Sequence, residues 1–198
     1  MAKFFANLTL VLVIGFALAV LIAVFPDSGY SIAPGAHYGE GANGMAMSAL
    51  QWLHVLFGIT WIGLLYYFNF VQTPTMPTIP PELKPGVSKY IAPKALFYFR
   101  WAAAFTVLTG LLLAWAYDEL REAMELQPSA RLIGIGMWLA LIMAFNVWVI
   151  IWPNQKKVLG LVSADDAAKA KAASTAGMAS RLNTLLSIPM LLCMTNAH

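Results

Sequence analysis

The chain is 198 residues long, 60% hydrophobic and only 11% charged, where an ordinary soluble domain runs about 45–50% apolar and about 25% charged. This excludes a soluble single domain, a disordered chain and, with one cysteine, a disulfide scaffold. The net charge of +3 suits either a basic patch or a membrane topology, and the positions of the charges favour topology over nucleic acid.

Five apolar stretches approach the roughly 20 residues that a membrane helix needs: 4–25, 46–71, 96–117, 132–152 and 182–197. They predict an all-α integral membrane protein, one membrane domain over 1–198, with five transmembrane helices. The apolar run in 4–25 exceeds a signal-peptide core and has no small-x-small site after it, so it reads as an uncleaved helix. Loop 26–45 is Gly-rich and polar. Loop 72–95 holds Pro74, Pro77, Pro80, Pro81, Pro85 and Pro93, which predicts a stiff, extended segment. Loop 118–131 is short and acidic and suits a surface helix turn. In the last loop, Ser163-Ala164-Asp165-Asp166 reads as a capping box that opens a cytoplasmic helix over 164–178.

With five spans, Lys3, Lys84, Lys89, Lys94, Arg100, Lys156, Lys157, Lys169, Lys171 and Arg181 fall on one side. Arg121 and Arg131 fall on the other. Basic residues mark the cytoplasmic side. The expected orientation is N-terminus cytoplasmic and C-terminus periplasmic, in a bacterial inner membrane.

All nine acidic residues lie in loops or at helix ends. Ion-coupled transport and intramembrane carboxylate catalysis are therefore disfavoured. The chain has no GxSxG elbow and no glycine-rich phosphate loop.

The three histidines, His37, His54 and His198, all fall on the outer side of this topology. His54 lies 18 residues from Gln72 and His198 lies 17 from Arg181, or about 27 and 26 Å along their helices. Two imidazoles at matching depth on antiparallel helices can flank a haem or share a metal ion. On the second helix Met47, Gln51, His54, Gly58, Trp61, Leu65 and Asn69 form one stripe, whose polar members favour the bundle interior. Gly58 leaves room for a flat ligand or a close helix, and Trp61 is a candidate pocket wall. On the last helix the stripe is Thr184, Ser187, Leu191, Met194 and His198, with Pro189 expected to kink it.

Plainer readings stand beside these. A histidine at a membrane interface also serves as a hydrogen-bonded interfacial residue, and His37 reads as a loop residue. The tryptophans mostly suit an aromatic belt. The methionines near the histidines suit packing or, as a minority reading, copper(I). Cys193 reads as buried and inert.

Residues 51–63 (QWLHVLFGITWIG) resemble the second-helix signature of the membrane domain of bacterial urate hydroxylases, the urate oxidase N-terminal family. Residues 96–101 through Thr109 and Gly110, Asn146 through Lys156, and Ser180 through Pro189 to His198 resemble further stretches of that family, in order. The resemblance implies a multi-helix inner-membrane domain usually followed by a cytochrome c domain, with His54 and His198 at positions where the family also has histidine. Phe97 and Leu182 stand where the family has further histidines, and no Cys-x-x-Cys-His occurs. Urate hydroxylation is therefore not carried over to this chain.

Three functions follow as expectations. The first is a membrane electron-transfer subunit binding haem b between His54 and His198, with Gly58 and Trp61 nearby and a cytochrome c or a larger membrane complex as partner. The second is a cofactor-free accessory subunit of a bioenergetic membrane complex. The third is copper handling at the periplasmic face. Membrane lipids are contacts in all three.

Overall fold

A computed structural model describes residues 42–196, with Val13 and Ala17 before them. The expected first span, His37 and His198 lie outside the described residues. The chain divides into two units, 1–48 and 49–198.

Among the described residues every regular element is helical and no strand occurs. Helix α1 (Ala42–Tyr66) continues through a π segment, Tyr67–Gln72, and short helical turns to Thr78. A return segment begins at Lys84, passes a second π segment, Val87–Ile91, and becomes α2 (Ala92–Ala116). The surface turn α3 (Leu120–Met124) forms in the acidic loop, as expected. Then come α4 (Arg131–Phe145), a π segment Asn146–Ile151, α5 (Trp152–Val158) and α6 (Asp166–Asn196). Three of these paths are long and apolar enough to cross a membrane: Ala46–Thr78, Lys84–Ala116 and Arg131–Val158.

One expectation changes. The proline-rich loop is not extended: only residues 79–83 break the helical path between Thr78 and Lys84. Pro74, Pro93 and Pro153 each fall two residues after a π segment and in the first turn of the next helix. Proline brings no N–H and its ring crowds the carbonyl four residues back. A widened turn followed by a helix start accommodates both features. The helix opened in the last loop leads into the expected last span as anticipated, and the two form one continuous helix, α6.

The N-cap of α6 is Asp165, not Ser163: the Ala168 N–H donates to Asp165 Oδ1 at 2.7 Å. Asp165→Ala should therefore cost about 1 kcal/mol, while Ser163→Ala should be nearly silent. Thermal unfolding followed by circular dichroism checks the contrast.

The core is built from Trp61, Leu65, Phe99, Ala103, Met143, Val147 and Met190. Outward faces carry large apolar side chains such as Ile59, Leu108, Ile142, Leu185 and Ile188. Small residues line the contacts. A Cβ on Gly136 would sit 2.9 Å from Cys193 Cβ, and Cys193 is buried.

Ring contacts fix which helix ends meet. Phe68 packs on Phe99 at 5.7 Å, and the Arg100 guanidinium lies 3.8 Å from the Trp152 ring centre, with Lys156 6.0 Å from the same ring. Segments 79–100 and 152–181, at this end, carry nine basic residues against three acidic. Loop 117–131, at the other end, carries two against four.

Candidate functional site

His54 sits half-buried in the stripe expected for α1. None of Gln51, Gly58, Trp61, Leu65 and Asn69 is exposed either. At His54 and Gly58 the stripe faces α2. His54 Nδ1 lies 2.9 Å from the Thr106 carbonyl oxygen and 3.2 Å from Thr109 Oγ1. Thr109 in turn donates to the Phe105 carbonyl at 2.7 Å, so toward His54 its oxygen acts as acceptor. A carbonyl can only accept, so Nδ1 carries the proton and donates to Thr106. In the neutral ring, Nε2 is then the nitrogen with the free lone pair. This is how metal-ligating histidines are commonly oriented, the second nitrogen held by a backbone carbonyl.

The imidazole lies against Gly110. A Cβ built there would fall 2.8 Å from Cε1 and 3.2 Å from Nδ1 of His54. At Gly58 a Cβ would meet only Thr106 Cγ2 at 3.9 Å, an ordinary contact. The close approach thus depends on Gly110, which the stripe on α1 alone does not reveal. Its signal in the sequence is the run of small residues Thr106, Thr109 and Gly110 on one face of α2.

Gln51 Oε1, one turn before His54, is buried without a hydrogen-bond partner, and so is the indole N–H of Trp61. Trp61 is wholly buried within the core. Buried polar atoms without partners are uncommon and call for an occupant or a water. Among the described residues no three His, Cys, Asp or Glu side chains gather as a metal-binding group.

A second polar system joins α6 to its neighbours. The hydroxyls of Tyr66 and Ser187 lie 3.0 Å apart. Asn146 Nδ2 donates to Asn183 Oδ1 at 2.8 Å, and Asn183 Nδ2 donates to the Met143 carbonyl at 2.9 Å. Asn69 Nδ2 donates to Ser180 Oγ at 2.8 Å. Ser180, Asn183 and Ser187 fall at helical spacing on one face, so α6 presents a polar ladder inward. This face matches the expected stripe only in part: Ser187 is buried as expected, together with Asn183, Met190 and Cys193, whereas Leu191 is exposed and Thr184 and Met194 are half-buried.

Residues 122–198 match the family model described as urate oxidase N-terminal. The match contains the last two of the four stretches on which the resemblance was read, and with them the Asn146–Asn183 pair. His54 lies before it. No curated protein and no solved structure matches the chain. Over residues 122–198, from the end of the acidic loop through α6, the chain is similar to the urate oxidase N-terminal family.

Proposed function

We propose that the protein is an electron-transfer subunit of a bacterial inner membrane. In this reading it crosses five times, with its N-terminus cytoplasmic and its C-terminus periplasmic, and holds haem b at the outer end through His54 and His198. Support for the topology comes from the three membrane-length helices and from the opposite charge balance of the two bundle ends.

The observation that carries the haem reading is the anchoring of His54. The hydrogen bond from Nδ1 to the Thr106 carbonyl fixes the tautomer and the ring plane, which leaves Nε2 as the donor atom for iron. The unpartnered Gln51 Oε1 one turn away suits an occupant at this end. His198 enters as the second ligand through its matching depth on the last helix. Haem would supply the one-electron chemistry, and the chain's own residues would bind and orient it. A periplasmic cytochrome c or a larger membrane complex would be the redox partner.

A reduced-minus-oxidised spectrum of the purified full chain tests this. A b-type signal is expected, lost in His54→Ala and His198→Ala and retained in His37→Ala. No haem absorbance from well-folded protein made with ample haem would sink it. The contact of the His54 ring with Gly110 also favours a second reading, in which His54 only clamps α1 to α2 within a cofactor-free accessory subunit. That reading predicts stoichiometric co-purification with a bioenergetic complex and no haem.

A further inference from the structure

We propose that the groove between the end of α1 and α6 seats an anionic phospholipid bearing headgroup hydroxyls, of the phosphatidylglycerol type. The groove is lined by Asn69, Phe70, Arg181, Thr184, Leu185 and Ile188 and has a volume of about 420 Å³. Its lower wall is apolar and open: Phe70 is 64%, Leu185 63% and Ile188 66% exposed. These side chains lie on helices beside the membrane-spanning path, where acyl chains are the surrounding solvent.

The upper end of the groove selects the headgroup. Among the described residues the ion pairs are Arg121 with Glu125 and Lys169 with Asp166, so Arg181 has no acidic partner there. Its planar fork of donors matches a phosphate. The other two polar groups accept rather than donate. Asn69 uses its amide nitrogen on the Leu65 carbonyl and Ser180 Oγ, which leaves its carbonyl oxygen. Thr184 uses its hydroxyl proton on the Ser180 carbonyl at 3.1 Å, which leaves its oxygen. One cationic donor flanked by two acceptors fits a phosphodiester followed by hydroxyls. A choline headgroup offers no proton to those acceptors. The groove also lies at the basic end of the bundle, where a zwitterionic lipid gains less than an anionic one.

The test is binding of defined lipids to the purified full chain by native mass spectrometry, comparing phosphatidylglycerol with phosphatidylcholine of the same acyl chains. The wild-type protein should prefer phosphatidylglycerol about five- to tenfold. Arg181→Gln should bring that preference to within about twofold of none. Arg181→Lys should keep part of it, because the charge remains and the fork is lost. Lys171→Gln, which changes an exposed charge on α6 outside the groove, should leave it intact. Ile188→Trp should block both lipids by filling the groove, and it decides the matter if Arg181→Gln fails to fold. A wild-type protein without preference, an Arg181→Gln protein that keeps it, or a Lys171→Gln protein that loses it equally would overturn the proposal.

Discussion

Gly110→Ala is expected to displace the His54 imidazole and to abolish most ligand binding at Nε2. The new Cβ would lie 2.8 Å from Cε1 and 3.2 Å from Nδ1, well inside ordinary contact. The ring has two ways out. It can rotate, which breaks the 2.9 Å bond to the Thr106 carbonyl and leaves a half-buried donor unsatisfied. Otherwise α1 and α2 can separate, which loses packing along the whole contact. Overpacking of this kind costs about 1–3 kcal/mol. Gly58→Ala is the matched control. Its Cβ would meet only Thr106 Cγ2 at 3.9 Å, and replacing a mid-helix glycine should gain about 0.5–1 kcal/mol of helix propensity. The two variants should therefore move the unfolding midpoint in opposite directions, and only Gly110→Ala should weaken the haem spectrum. An unaltered spectrum in a folded Gly110→Ala protein would mean that the orientation of His54 is not what positions the cofactor.

Asn183→Leu should be the most destabilising single change in the polar ladder. Asn183 is wholly buried, accepts from Asn146 and donates to the Met143 carbonyl. Interhelical hydrogen bonds in membranes average about 0.6 kcal/mol and reach about 1.7. Here, however, removing one residue orphans the buried Asn146 amide at a cost of about 1–3 kcal/mol, while the Met143 carbonyl keeps the Asn146 backbone N–H as donor. A loss of about 2–4 kcal/mol follows from the same terms. The Asn146→Leu, Asn183→Leu double variant should lose less than the two singles together, because the partner amide is no longer stranded. Denaturant titration of the four proteins in detergent measures this, and strictly additive losses would show that the two amides do not act as a pair.

The stripe on α1 was legible because a costly polar residue in a membrane helix marks its own face: Gln51, His54 and Asn69 recur at helical spacing, and none is exposed. The stripe on α6 was legible only in part: Ser187 is buried, but Leu191 is exposed. Thr184, Leu191 and Met194 satisfy the same spacing as Asn183, Met190 and Cys193, and the side chains of the two sets differ little in polarity. The cap of α6 was also displaced. Ser163 and Asp165 are both good caps, and only the path of the chain shows that Asp165 is in place to accept from Ala168. The prolines of 72–95 were read as extended because their spacing says nothing about widened turns, which need neighbouring helices to hold them.

The sequence by itself determined the all-helical class, three helices long and apolar enough to cross a membrane, the opposite charge of the two ends and the inward face of α1. These depend on composition, length and single-helix periodicity, which are local properties. Only the tertiary structure decided that His54 meets Thr106 and Gly110, that Asn183 pairs with Asn146, and that α6 turns Met190 rather than Leu191 inward. The physical reason is that lipid and protein neighbours are both apolar, so hydrophobicity around a membrane helix hardly distinguishes one from the other. Rotation and partner are set instead by where small residues allow backbones to approach and where two buried polar groups can satisfy each other.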